Sequence, residues 1–160
     1  LMLSFKKIIL VVLFLVSACG FSPLYKHQNF EKFAGKISIQ EPDNQNDFIF
    51  YSHLIDRFGE SNGMYTLTYA ITTSTKDSGL NFDATVHRIE ISGSVAFSLK
   101  DTESGVELLS DQEKMYLSYS NFGSTAAVLN AERTTNKQLI VLLADKVADR
   151  ISLIIIEKNS

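Results

Sequence analysis

The run Arg88-Ile89-Glu90-Ile91-Ser92-Gly93-Ser94-Val95-Ala96-Phe97-Ser98-Leu99-Lys100 decides how this chain folds. Ile89, Ile91, Val95, Phe97 and Leu99 fall on one side of an extended backbone, and Arg88, Glu90, Ser92, Ser94 and Ser98 on the other, because successive side chains of a strand point to opposite faces. The alternation predicts a long strand from about Thr85 to Lys100 with one face in a core, Gly93 marking a bulge. Upstream, Tyr65, Leu67, Tyr69 and Ile71 alternate with Thr66, Thr68, Ala70 and Thr72, a second strand whose threonine face meets solvent or a partner. A loop containing Asp77-Ser78-Gly79 joins the two. The turn Asp101-Thr102-Glu103-Ser104-Gly105 leads to a further strand between Val106 and Tyr119, whose apolar phase shifts partway as a bulge or bend requires.

Helices flank this β-rich middle. Lys36 to Gln40 alternates as a short strand around Ile37 and Ile39, and Pro42-Asp43-Asn44-Gln45-Asn46 ends it. Phe48, Tyr51, Leu54, Ile55 and Phe58 then recur at helical spacing, with Asn46 or Asp47 as cap and Gly59 where a helix stops. In the last third, Val128, Ala131, Leu139, Leu142, Leu143, Val147, Ile151 and Ile154 form one broad stripe. A helix from about Thr125 to Glu157 spans ~50 Å, and Thr134-Thr135-Asn136, poor helix formers, mark where it bends or frays. Asp145, Lys146, Asp149 and Arg150 interrupt its apolar runs and argue against a membrane span. Strand, helix, three strands, helix is the order of an α+β two-layer sandwich, with both helices on one face of a small mixed sheet. The reading is one domain over residues 36–160.

The N-terminus has a different character. Lys6 and Lys7 precede the apolar run Ile8 to Val16 and the small residues Ser17 and Ala18, the layout of a secretory signal peptide over residues 1–18. The run is shorter than the roughly 20 residues a spanning helix needs, which makes a retained anchor the weaker alternative. Leu1 before Met2 reads as a literal start codon or a start one residue later. Cys19, the only cysteine, follows at once, so the chain has no intramolecular disulfide to rely on. The tetrad Val16-Ser17-Ala18-Cys19 resembles the bacterial lipobox, whose cysteine becomes a lipidated mature N-terminus; a buried thiol is the bland alternative. Gly20 after the cysteine resembles the pattern that sorts lipoproteins to the outer membrane. Residues 19–35 read as a lipidated start and extended tether, Pro23 holding Ser22 out of helix.

Without residues 1–18, which hold two lysines and no acid, thirteen basic side chains face eighteen acidic ones, a balance of minus five. That balance excludes a nucleic-acid partner bound through bulk charge. His27, His53 and His87 are scattered with no metal-ligand spacing and read as solvated or structural. No nucleophile elbow, phosphate loop or dinucleotide fingerprint occurs, so no enzyme and no cofactor is expected. Asp111 and Glu113 share a strand face, where carboxylates ordinarily just solvate a surface.

Several stretches together resemble the LPS-assembly lipoprotein (LptE) family, in its alphaproteobacterial form. They are Cys19-Gly20-Phe21-Ser22-Pro23-Leu24-Tyr25, Asp83-Ala84-Thr85-Val86-His87-Arg88, the turn Asp101 to Gly105, and Leu143-Ala144-Asp145-Lys146-Val147-Ala148-Asp149-Arg150-Ile151. The resemblance implies an outer-membrane lipoprotein of the lipopolysaccharide transport complex, plugging the LptD β-barrel and assisting lipopolysaccharide insertion at the cell surface. The rival class is a periplasm-facing lipoprotein enzyme or small-ligand carrier that shares only the anchor, for which a sizeable apolar cavity beneath the sheet is the mark. The sequence departs from the family in its first helix, where Ser52-His53-Leu54-Ile55-Asp56-Arg57 keeps only Arg57 as a basic residue.

Two residue sets follow from this expectation. Arg88 and Lys100 share strand parity and Lys114 lies on the adjacent strand, a set suited to lipid A phosphates through charge-assisted hydrogen bonds. The alternative for them is exposed cross-strand pairing, Arg88 having Glu90 on its own face. Tyr65, Tyr116, Tyr119 and Phe122 are candidate aromatic anchors against the barrel.

Overall fold

The structure, a computed structural model, describes residues 35–60, 63–77 and 88–158. The signal peptide, Cys19 and the tether expected at its start lie outside these residues, as do Thr85 to His87 and most of the loop after Asp77. The elements run β1 (Ile37–Ile39), α1 (Gln45–Phe58), β2 (Tyr65–Asp77), β3 (Arg88–Asp101), β4 (Glu107–Ser120) and α2 (Thr125–Lys158). They form an α+β fold in which a four-stranded sheet, ordered β1-β2-β3-β4, carries both helices. β1 pairs parallel to β2 and the other pairs are antiparallel, so the sheet is mixed.

The period-two pattern of β3 runs unbroken through its length. Ile91, Val95, Phe97 and Leu99 are buried under the helices while Ser92, Ser94, Ala96 and Ser98 stay on the far side. Gly93 belongs to the covered face and makes no bulge, contrary to the sequence expectation. α2 packs tightly over it, since a Cβ there would lie 3.0 Å from Leu139 Cδ2 and 3.0 Å from Leu143 Cδ1. The bulge lies in β4 instead: Leu99 pairs with Leu109 but Lys100 with Glu107, leaving Leu108 as the extra residue. Asp101 closes the β3–β4 turn, its Oδ1 accepting from the Ser104 amide at 2.9 Å, and Gly105 supplies the positive φ of 70° that the turn requires.

In α1 the buried side chains are Phe50, Leu54 and Phe58, four apart, and Phe48 points outward with 60 % exposure. The cap is Asn44, upstream of the expected Asn46 or Asp47, because its side chain accepts the Asp47 amide at 3.0 Å. In α2, Leu139, Ile140, Leu143, Ala144, Val147, Ala148 and Ile151 are buried, whereas Leu142 leaves the stripe and is 38 % exposed. The helix runs straight through Thr134-Thr135-Asn136 without ending, and Asn136 donates to Asn46 of the α1 first turn at 2.8 Å. Its first turns, up to Gln138, carry no buried residue, so the sandwich is held by the second half of α2. Among the described residues no helix is long and apolar enough to cross a membrane.

Charged side chains tie the layers at their margins. Arg57 reaches Asp145, and also Asp149 at 3.3 Å, and His53 meets the same Asp145 oxygen at 2.8 Å. Asp111 and Glu113 face α2, where Arg150 and Lys146 bind them at 3.0 and 3.2 Å. The Gln112 amide and then Arg150 hold the Asp111 carboxyl below its usual range. These carboxylates stitch β4 to α2, a more specific role than solvating a surface.

Candidate functional site

Among the described residues both helices lie on one side of the sheet and nothing covers the other, and strand parity decides what that side presents. β2 contributes Thr66, Thr68, Ala70, Thr72 and Ser74, β3 contributes Ser92, Ser94, Ala96 and Ser98, and β4 contributes Ser110, Gln112, Lys114, Tyr116 and Ser118. The register sets them in rows: Thr68-Ser98-Ser110, Ala70-Ala96-Gln112, Thr72-Ser94-Lys114 and Ser74-Ser92-Tyr116. The result is a broad surface of short hydroxyl and methyl groups. The hydroxyls bond one another, Ser74 Oγ to Ser92 Oγ across β2 and β3 at 2.7 Å and Thr66 Oγ1 to Thr102 Oγ1 of the turn after β3 at 3.0 Å. Because Oγ and Oγ1 have spare lone pairs, they still offer acceptors outward.

Two shallow depressions mark this face. One of about 290 Å³ lies over Thr68, Ala70, Ala96, Ser98 and Ser110, and a smaller one of about 190 Å³ over Thr72, Ser74, Ser92 and Ser94, walled by Lys114 and Tyr116. The second joins an ammonium, a phenol and several hydroxyls in one polar cup. Such a surface is suited to hydrogen bonding and close fit rather than to apolar burial, its middle rows being Thr, Ser, Ala, Gln and Lys.

The expected cations all reach this face but do not converge. Lys114 pairs with Ser94, six residues along β3 from both Arg88 and Lys100, so neighbours in the set stand roughly 20 Å apart at about 3.3 Å per residue. One phosphate cannot be shared among them. Lys114 lines the smaller of the two depressions. The aromatic set divides by parity as well. Tyr116 and Phe122 are 59 % and 76 % exposed, whereas Tyr119 is 8 % exposed and Tyr65 packs against the core on the helix side. Burial, then the Glu132 carboxylate, pushes the Tyr119 phenol above its ordinary range. Tyr119 is therefore a buried residue, and Tyr65 a partly buried one, on the core side of the sheet. Odd numbering along β2 and β4 was the signal that separates them from Tyr116.

No protein-family model matches the sequence, and no curated protein does. Solved structures do match in shape. A protein of Caulobacter crescentus described as a lipoprotein superposes with a TM-score of 0.62 at 15% identity, over 82% of this chain and 95% of its own. Rare lipoprotein B of Shewanella oneidensis gives 0.61 at 11% identity, over 78% and 98%. A minor lipoprotein of Acinetobacter baumannii gives 0.57 at 15% identity, over 76% and 91%. The fold is one that bacterial lipoproteins carry. At these identities the likeness is one of architecture, and it spans nearly the whole of each neighbour.

Proposed function

We propose that this chain is an outer-membrane lipoprotein, anchored by lipid on Cys19, that acts as the LptE-type partner of the LptD β-barrel. In this reading its folded domain sits in the barrel lumen, shapes it, and assists lipopolysaccharide insertion at the cell surface, without catalysing a reaction. The observation that carries the reading is the uncovered hydroxyl face of the sheet. Barrel interiors are polar and often plugged, and a flat surface of serine and threonine can meet them through many hydrogen bonds. Tyr116 and Phe122, exposed at the same side and at the loop before α2, supply aromatic anchors. Lys114 is the cation best placed for a lipopolysaccharide phosphate, standing beside a polar cup. Lipid on Cys19 raises the local concentration of the domain at the barrel. A carrier would need an apolar cavity between the layers, where Phe50, Leu54, Phe58, Leu99 and Leu143 are fully buried and pack as one core.

The test is photocrosslinking in cells from Thr68, Gln112, Tyr116 and Phe122, with Leu139 as a buried control. Adducts with an outer-membrane barrel from the first four positions are expected, together with an acylated Cys19 fragment by mass spectrometry. An unprocessed Cys19, or adducts confined to soluble periplasmic proteins, would overturn the reading.

A further inference from the structure

A strand carries its side chains alternately to the two faces of a sheet, so whatever grips one face of β4 also sets what the other presents. On the covered side Asp111 and Glu113 stand two residues apart and meet Arg150 and Lys146, four residues apart on α2, at 3.0 and 3.2 Å. The match is geometric. Two residues of strand rise ~6.6 Å and four of helix ~6 Å, which lets both pairs close at once with the elements antiparallel. The grip reaches the backbone as well: the Gln112 amide donates to Asp111 Oδ1 at 2.8 Å while Arg150 holds Oδ2 of the same carboxylate, and Lys146 Nζ also donates to the Lys114 carbonyl at 3.3 Å. Just before this stretch lies the Leu108 bulge, and a bulge bends its strand and sharpens the twist. On the uncovered side, Ser110 and Asp111 line the larger depression and Lys114 and Tyr116 the smaller, so this part of β4 is one wall of both.

We propose that Lys146 and Arg150 are positioning residues for the partner surface: by clamping Asp111, Glu113 and the Lys114 backbone on the covered side, they hold Gln112 and Lys114 in place on the uncovered one. The inference rests on the barrel reading and adds to it which residues outside the interface set its shape. Among the described strands β4 is bonded to β3 alone. Without the clamp it follows its own twist past the bulge, and the wall of both depressions shifts relative to the floor that β2 and β3 supply. Stability is a minor part of this role. All four side chains are between a quarter and a half exposed, and ion pairs open to solvent add little to the folding free energy. What the clamp supplies is preorganisation, because a surface already in its bound shape loses less ordering entropy on association.

The experiment uses the full lipoprotein in its own membrane, with a photocrosslinker at Gln112 on the clamped strand or at Thr68 on β2 as the internal reference. Lys146→Met with Arg150→Met should lower the barrel adduct from Gln112 about fivefold, since β4 must then be ordered on docking, and the adduct from Thr68 less than about twofold. Lys146→Arg with Arg150→Lys keeps both charges and should restore the Gln112 adduct. Unfolding would lower both positions together, whereas here the melting temperature should hold within about 5 °C. In the detergent-extracted protein, amide exchange at Gln112 should quicken in the methionine pair while that at Ala96 on β3 stays as it was. An unchanged Gln112 adduct, an equal fall at Gln112 and Thr68, no rescue by the conservative pair, or Gln112 exchange as slow as in the parent chain would overturn the inference and leave the barrel reading in place. No barrel adduct from either position of the parent chain would sink that reading, and the inference with it.

Discussion

Gly63 and Gly93 both allow a close approach, but what stands against them differs. A Cβ on Gly63 would overlap the Lys36 carbonyl and crowd the Ile37 amide, which are backbone atoms in the strand that starts the sheet. A Cβ on Gly93 would meet only the tips of Leu139 and Leu143, which can turn aside. Gly63→Ala is therefore expected to destabilise the fold by about 2–4 kcal/mol, a backbone-strain effect, and Gly93→Ala by less than ~1 kcal/mol. Gly93→Val, too bulky for leucine tips to clear, should cost about 1–3 kcal/mol. Chemical denaturation of the three variants checks the order, and a Gly63→Ala protein as stable as Gly93→Ala would contradict it.

Elements are joined by contacts of unequal worth, and the α1–α2 seam shows why. Asp145 accepts from both Arg57 and His53, with side chains about a quarter to a third exposed, whereas Asp149 meets Arg57 alone at 58 % exposure. Solvent screens the second pair more. Asp145→Ala is expected to cost about 1 kcal/mol and Asp149→Ala only a few tenths. Equal losses in urea titrations would mean that the His53 contact adds nothing. Beneath this polar margin, Phe50, Leu54 and Phe58 of α1 and the buried half of α2 supply the larger apolar contribution.

At the scale of the whole molecule, the described residues form a sandwich whose helices cover one face of the sheet, and stability at high pH reports that cover. Tyr69 lies between β2 and α1 with its ring 4.7 Å from Phe50 and its hydroxyl 3.5 Å from the Asp47 carbonyl. Burial, reinforced by the Asp47 and Asp43 carboxylates, pushes its phenol from 10.0 up to about 12. Below pH 10 the phenol is neutral folded or unfolded, and its contribution is complete. Between pH 10 and 12 the unfolded chain loses the proton while the folded one keeps it, so stability falls with a slope approaching ~1.4 kcal/mol per pH unit. Tyr69→Phe should flatten that fall relative to the parent chain. Parallel curves for the two proteins would show that Tyr69 ionises as freely as an exposed phenol.

The sequence by itself determined the elements and their order, because those depend on near neighbours: alternation in β2 and β3, helical spacing in α1 and α2, the Asp101 turn and the Gly59 stop. It also determined that threonines and serines share one side, since parity is local. The expectation that both helices lie on one face also came from the sequence, and parity set Tyr65 and Tyr119 apart from Tyr116; only the tertiary structure decided how deeply Tyr119 is buried and that Gly93 is a helix seat. The partners of His53 and Arg57 lie 92 and 88 residues away, and no local pattern encodes a pairing at that range. That β4 ends the order of strands among the described residues is likewise a tertiary fact, for strand order is set by pairings between distant parts of the chain.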